Sequence, residues 1–263
     1  MTSNMFSTLL RTVGFCALSA FVMSPALAAP INYGDFSDIP PGAVMYLDVT
    51  ESSATDDVPL FGAPDVTVNE LDFDPTAFGS SAANGDIDIT DGQLNFGFET
   101  LPGTGVRSLL IEEGGDYSFF NGSPLTSVNF GIFAKVTVTE VNGVALAPNG
   151  PGGQFDVVVN NGGTFNAPGG IVQNAPWQFG TLVEFGPALA QNGFGPMSVV
   201  TAGEFVLNNT LIASSEQGSL AFIAKKDFKI TPRGPLDPDN VVPEPTAAVL
   251  GFLAIAGFAG RRR

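Results

Sequence analysis

The chain has 263 residues, a formal net charge of −16, no histidine and a single cysteine, Cys16. Residues 30–242 hold 25 of the 26 acidic residues but only six of the ten basic ones, so this body repels nucleic acid phosphates and anionic lipid headgroups and attracts cations. The composition excludes Ser-His-Asp and Cys-His catalysis, and it excludes zinc sites built from histidine or several cysteines.

Residues 1–28 predict a secretory signal peptide. They carry one basic and no acidic residue, an apolar stretch over 13–23, and small residues Ala26 and Ala28 at the −3 and −1 positions of a cleavage site. The apolar stretch is shorter than the ~20 residues that a membrane-spanning helix needs. We therefore expect signal peptidase to cut after Ala28 and to remove Cys16 with the signal peptide.

The body, residues 29–230, shows the period-2 alternation of β-strands and almost no helical periodicity. In "NGDIDITDGQLNFGFE" the apolar Ile87 and Ile89 alternate with polar residues, and Asp91-Gly92 predicts a hairpin turn before the next strand. Asp86 and Asp88 are expected on the solvent face of that first strand.

Three later segments extend the pattern. "KVTVTEVNGVAL" places Val136 and Val138 on one face and predicts a turn at Asn142-Gly143. "QFDVVVNNGGTFN" predicts an apolar strand that ends in an Asn-Gly-Gly turn, and "GEFVLNNTLIASSEQGSLAFIAKKDFKI" predicts two or three further strands. A helical turn or two is expected only around "GPALAQNG".

Many short strands with turn signals, and 23 phenylalanines to fill the space between two sheets, predict an all-β fold. We expect a single β-sandwich or jelly-roll-like domain between the signal peptide and a short C-terminal apolar anchor helix.

Calcium is one hypothesis for a ligand of the body, because hard cations prefer carboxylate and carbonyl oxygens. Asp72 and Asp74 in "LDFDP" share a face of any strand, and a bound ion would offset their repulsion. We expect no cofactor, and a structural calcium ion is the one exception that the sequence suggests.

Carbohydrate is a second hypothesis. Trp177 in "QNAPWQFG", preceded by a proline, is the candidate aromatic platform if it lies on an exposed loop, and core packing is the alternative. Lys225, Lys226 and Lys229 are expected on the solvated face of the last strand. A glycan hydrolase or lyase needs two carboxylates ~5 to ~9.5 Å apart, and an acidic chain offers too many pairs to select one.

The C-terminal region has a different character. Residues 231–241 are a proline-rich linker, which favours extended polyproline II conformation. An uncharged apolar segment, 246–260, follows; as a helix it measures ~22 Å, less than the ~30 Å hydrocarbon core of a bilayer. A short motif precedes this segment and an arginine cluster ends the chain: Val242, Pro243, Glu244, Pro245, and Arg261, Arg262, Arg263.

This order of motif, apolar segment and basic terminus, over residues 242–263, resembles the PEP-CTERM sorting signal of exopolysaccharide-producing bacteria. The resemblance implies that a membrane-embedded exosortase acts near the Pro-Glu-Pro motif. The chain would then be anchored in the membrane before processing, and its body would be released to the cell surface or matrix.

The sequence therefore predicts an exported structural or adhesive protein of the cell envelope or extracellular matrix, without catalytic activity. Its expected partners are signal peptidase, the exosortase and exopolysaccharide, and no nucleic acid. A non-catalytic carbohydrate-binding module is the alternative, and a carboxylate-based glycan hydrolase or lyase comes third.

Overall fold

The computed structural model describes residues 29–235, which form an all-β sandwich and confirm the predicted fold class. The elements in chain order are β1 (Ile31–Ser37), β2 (Val44–Ser53), β3 (Asp65–Thr67), β4 (Glu70–Phe73), β5 (Gly79–Ala83), β6 (Ile87–Thr100), β7 (Ser108–Phe120), β8 (Ser127–Val141), β9 (Val144–Ala145), β10 (Phe155–Asn166), β11 (Val172–Glu184), α1 (Gly186–Gln191), β12 (Val200–Ser214) and β13 (Leu220–Arg233).

Two antiparallel sheets face each other. The seven-stranded sheet has the order β1-β2-β6-β12-β8-β10, with β9 paired to β8. The six-stranded sheet has the order β11-β7-β13-β4-β3, and β5 also pairs with β13. Strands β12 and β13 follow one another in sequence but lie in different sheets, so the chain crosses the sandwich between them.

The core between the sheets is built from phenylalanine and aliphatic side chains. Val136 and Val138 are fully buried, as the alternation in β8 predicts. The turn at Asn142-Gly143 is confirmed, since it joins β8 to β9 with both residues at positive φ. The short helix α1 lies where "GPALAQNG" predicts one.

The turn predicted at Asp91-Gly92 is wrong, because β6 runs through it without a break. Gly92 faces the core, and a Cβ atom at this position would lie 2.9 Å from ring atoms of both Phe61 and Phe78. The glycine therefore makes room for two rings and does not bend the chain.

The continuity of β6 also decides which residues face inward. Leu94, Phe96 and Phe98 point to the core, and the same parity brings Thr90 inside. Ile87 and Ile89 consequently face solvent, with Ile87 62% exposed. The hydrophobic alternation of "DIDI" was therefore a wrong guide to the buried face.

The Asn-Gly-Gly turn predicted in "QFDVVVNNGGTFN" is wrong for a similar reason. Strand β10 is continuous over Phe155–Asn166 and pairs with β8 along its whole length. A Cβ atom at Gly163 would lie 2.6 Å from the Phe130 ring, so this glycine also makes room for an aromatic neighbour.

Strand β13 extends past the predicted domain end at residue 230. Thr231, Pro232 and Arg233 continue the ladder with β7, so the linker expected over 231–241 loses its first residues to the sandwich. Residues 1–28 and 236–263 lie outside the described residues, and with them the predicted cleavage site at Ala26 and Ala28, the remaining linker and the whole sorting signal.

The packing role of Gly92 is testable with Gly92→Ala. Because the added methyl group meets two buried rings, we expect the free energy of unfolding to fall by about 1–3 kcal/mol, the usual range for overpacking. Urea unfolding followed by the fluorescence of the single tryptophan measures it.

Gly97→Ala is the matched control in the same strand. Its nearest neighbour atom would be Leu47 Cβ at 3.6 Å, an ordinary contact, so stability should change by less than about 0.5 kcal/mol. Equal losses for the two variants would contradict the packing explanation.

Candidate functional site

Asp72, one of the two candidate calcium ligands, pairs with a lysine. Asp72 Oδ2 accepts a hydrogen bond from Lys229 Nζ at 2.9 Å, and the same ammonium lies 3.7 Å from Glu70. This hydrogen bond raises the pKa of Lys229. Asp74 is exposed beyond the end of β4. Within residues 29–235 no group of three or more acidic side chains is placed to hold a metal ion.

Trp177 does not lie on an exposed loop. It belongs to β11 and is 4% exposed, with its indole Nε1 donating a hydrogen bond to Ala224 O at 3.2 Å. Its ring stacks on Phe130 at a centroid distance of 4.9 Å. Neither ring face is therefore available to a sugar, and the sequence-based choice of Trp177 as platform is wrong.

The seven-stranded sheet carries a different candidate surface on its outer side. We call it the amide face, and it consists of Gln93, Asn95, Asn129, Phe133, Asn160 and Asn208. Asn208 stands directly opposite Gln93 on one side and Phe133 on the other. Asn160 stands opposite Phe133 on the edge strand β10. Four neighbouring strands thus present one continuous row of planar side chains.

Phe133 is at the centre of this row and is 39% exposed. Its neighbours on the next row are Val158, which is half exposed, and Lys135, which pairs with Asp156 at 3.8 Å. A side chain at Gly131 would meet nothing within 4 Å, so the surface beside the ring is open.

Hydrogen bonds order part of the amide face. Gln93 Nε2 donates to Asn95 Oδ1 at 2.8 Å, and Thr164 Oγ1 donates to Asn129 Oδ1 at 2.5 Å. None of the six residues of the amide face carries a formal charge, although the chain has a net charge of −16. The arrangement offers amide donors and acceptors beside an apolar ring.

A second cluster, which sequence analysis missed, is buried between the two sheets. It consists of Lys225 from β13, Glu113 from β7 and Asn209 from β12, and we call it the buried triad. Lys225 Nζ lies 2.5 Å from Glu113 Oε2, and both side chains are fully buried. Asn209 Nδ2 donates a hydrogen bond to the same oxygen at 2.7 Å.

Phenylalanine rings enclose the lysine of the buried triad. The distances from Lys225 Nζ to the ring centroids of Phe78, Phe228 and Phe61 are 4.6, 4.9 and 5.5 Å. Burial lowers the pKa of Lys225, although the carboxylate of Glu113 opposes the shift. Cation–π attraction and the ion pair together offset part of the desolvation.

Two structural features position the groups around Lys225. A β-bulge between Lys225 and Asp227 places one extra residue in β13, so that Lys225 and Phe228 both face inward. The second feature is Glu51, a buried carboxylate that accepts the backbone N–H groups of Leu60, Phe61 and Gly62. Glu51 thereby fixes the segment that contains Phe61, whose ring packs against Lys225.

The prediction that Lys225 lies on the solvated face is wrong, whereas Lys226 and Lys229 do lie outside the core and pair with Asp116 and Asp72. Ala221, Ile223 and Lys225 share the buried parity of β13, and this alternation was the only sequence signal for it.

No family model and no curated protein matches the chain. Solved structures with similar parts include an arabinose-bound GH51 α-L-arabinofuranosidase (13% identity, TM-score 0.18), in which the match covers 75% of this chain and 25% of that one. The enzymatically active domain of tailspike protein 4 from bacteriophage CBA120 matches at 13% identity and a TM-score of 0.17, over 77% of this chain and 19% of that one. A carbohydrate-binding module of the β-sandwich superfamily matches at 8% identity and a TM-score of 0.17, over 69% and 73%.

This chain thus spans about a quarter or less of the length of the first two structures. Similarities at these TM-scores carry no argument about function. Among residues 29–235, no helix has the length and apolar character needed to cross a membrane.

The Lys229 contact predicts that Asp72 does not serve a calcium ion. Millimolar calcium should leave the thermal midpoint of the full chain unchanged. A calcium ion present at a hundredfold excess over its dissociation constant would instead raise the free energy of unfolding by ~2.7 kcal/mol, and the midpoint with it. Asp72→Asn should cost ~0.2–1 kcal/mol with or without calcium, because it weakens a partly exposed ion pair.

Asp74→Asn is the control, since Asp74 is exposed and makes no ion pair within the described residues. Thermal unfolding with calcium and with a chelator distinguishes the cases. A calcium-dependent rise that Asp72→Asn abolishes would restore the metal site.

Proposed function

We propose that this protein is an exported, non-catalytic adhesive protein of the cell envelope or extracellular matrix that binds polysaccharide through the amide face. The observation that carries the proposal is the row Gln93–Asn208–Phe133–Asn160, in which an exposed ring lies between planar amides on adjacent strands.

The chemistry of this row suits a sugar chain. The apolar face of a pyranose ring packs on an aromatic ring, and its hydroxyl groups exchange hydrogen bonds with amide groups that act as both donors and acceptors. Asn208 and Asn160 make no side-chain hydrogen bond within residues 29–235, so their amides are available to a ligand.

The charge distribution favours a neutral polysaccharide. The body is strongly acidic and repels polyanions, but the amide face itself carries no formal charge. A neutral glycan can approach this surface without electrostatic penalty, and it needs no bridging cation.

The absence of catalysis is part of the proposal. Glu51 and Glu113, the two glutamates buried in the sandwich, hold backbone N–H groups and a lysine. Neither is exposed to a substrate at the surface. A hydrolase or lyase role therefore receives no support from these two carboxylates.

Export and sorting complete the proposed function. Residues 1–28 direct the chain out of the cytoplasm, and residues 242–263 hold it at the membrane until an exosortase releases the body. The support is the order of motif, apolar segment and arginine cluster in the sequence.

Phe133→Ala tests the binding surface. We expect the dissociation constant for a neutral polysaccharide to rise at least tenfold, because the stacking partner is lost. This corresponds to a loss of about 1.4 kcal/mol in binding free energy. Affinity electrophoresis against a β-glucan, a xylan and a mannan measures it, with alginate as the acidic comparison.

Phe120→Ala is the matched control, because Phe120 is 49% exposed but belongs to β7 of the opposite sheet. Its affinity should equal that of the wild type, and both variants should keep the wild-type thermal midpoint. Retained binding in Phe133→Ala, or an equal loss in both variants, would contradict the assignment of the amide face.

The sorting signal has its own test. In a host that encodes an exosortase, the double variant Pro243→Ala/Glu244→Ala should keep a C-terminal epitope tag on the membrane-bound chain, whereas the wild type loses it. Asp239→Ala, in the adjacent linker, serves as control and should be processed normally. Equal loss of the tag from all three chains would show that the motif is not recognised.

A further inference from the structure

The buried triad presents an unusual set of unsatisfied groups. Glu113 Oε1 and Asn209 Oδ1 are buried without a hydrogen-bond partner in the described part of the chain, and Lys225 Nζ has only its ion pair with Glu113 Oε2 there. A buried ion pair whose remaining donors and acceptors are unsatisfied does not repay its desolvation. A role in stability alone therefore explains the triad poorly.

The contacts of the triad place an amine beside a carboxamide. Lys225 Nζ and Asn209 Nδ2 both lie within 2.7 Å of one atom, Glu113 Oε2. The lysine amine and the asparagine amide are thus close neighbours, and a carboxylate contacts both. All three residues are buried.

We propose that Lys225 and Asn209 form an intramolecular isopeptide bond, with Glu113 as the proton carrier. The ammonium proton of Lys225 passes to Glu113 Oε2, and the freed lone pair of Nζ attacks Cγ of Asn209. The bond from Cγ to Nδ2 breaks, and Nδ2 leaves as ammonia with a proton that Glu113 relays from the attacking nitrogen. One amine and one primary amide become one secondary amide and ammonia.

The environment of Lys225 suits this reaction. The attacking species is the neutral amine, and burial among Phe61, Phe78 and Phe228 lowers the pKa of Lys225. The product contains no lysine charge, so the reaction removes a buried cation from an aromatic surrounding. Escape of ammonia to solvent makes the reaction effectively irreversible.

The position of the bond gives it a structural meaning. Asn209 belongs to the seven-stranded sheet and Lys225 to the six-stranded sheet, so the bond would fasten the two layers together. The only cysteine of the chain, Cys16, lies in the predicted signal peptide. An isopeptide bond would give an exported body the covalent link that it cannot obtain from a disulfide.

Peptide mapping of the recombinant full chain tests the proposal and does not depend on processing at either end. Trypsin does not cleave after an acylated lysine, so the peptide that begins at Val136 should extend past Lys225. It should also be about 17 Da lighter than its sequence mass, the mass of one ammonia. A peptide that ends at Lys225 with the unmodified sequence mass would overturn the proposal.

Variants exclude other causes of the same mass loss. In Lys225→Met, the tryptic peptide that begins at Val136 should have its full sequence mass. If a loss of about 17 Da persists in this peptide, the loss comes from succinimide formation and the proposal fails. Lys229→Met, which removes a partly exposed lysine of the same strand, should retain the bond. Asn209→Asp should yield a peptide of the same mass as the linked wild type, since aspartate loses water where asparagine loses ammonia.

Glu113→Gln tests the proton carrier. In protein that keeps the wild-type near-ultraviolet circular dichroism, the peptide should remain unlinked, because glutamine cannot accept the ammonium proton. Complete linkage in this variant would overturn the role of Glu113.

Discussion

A lysine side chain enclosed by three phenylalanine rings is the constraint around which the sandwich is arranged. Burying a charge is costly unless it is paired, and Glu113 provides the pair. Three surrounding features accommodate this lysine. The bulge in β13 lets Phe228 face inward together with Lys225, Gly92 leaves space for two of the rings, and Glu51 fixes the segment that carries Phe61. The two sheets meet at a polar centre within a hydrophobic core.

Local patterns were sufficient for the fold class and for features that depend only on near neighbours in sequence. The turn at Asn142-Gly143 and the short helix α1 are of this kind. Asp91-Gly92 matches the sequence pattern of a hairpin turn, but Gly92 is needed to make room for the rings of Phe61 and Phe78. A single sequence does not reveal which partner a glycine accommodates, so the turn and the buried face of β6 were both mispredicted.

The candidate sites also depend on contacts between residues that are distant in sequence. Trp177 was chosen for its residue type, whereas its exposure depended on stacking against Phe130 across the sandwich. The amide face is assembled from four strands, and its row exists only because of their register. Lys225 was assigned to solvent on charge alone, although it has the same parity in β13 as the buried Ala221 and Ile223.

The central position of β13 has a mechanical consequence. This last strand is hydrogen-bonded to β7 on one side and to β4 and β5 on the other. Tension applied at the C-terminal end of β13 would act along this strand. It would load both ladders in shear, so that many hydrogen bonds must break together rather than one after another. A body built in this way resists tension on its last strand better than one whose last strand lies at a sheet edge.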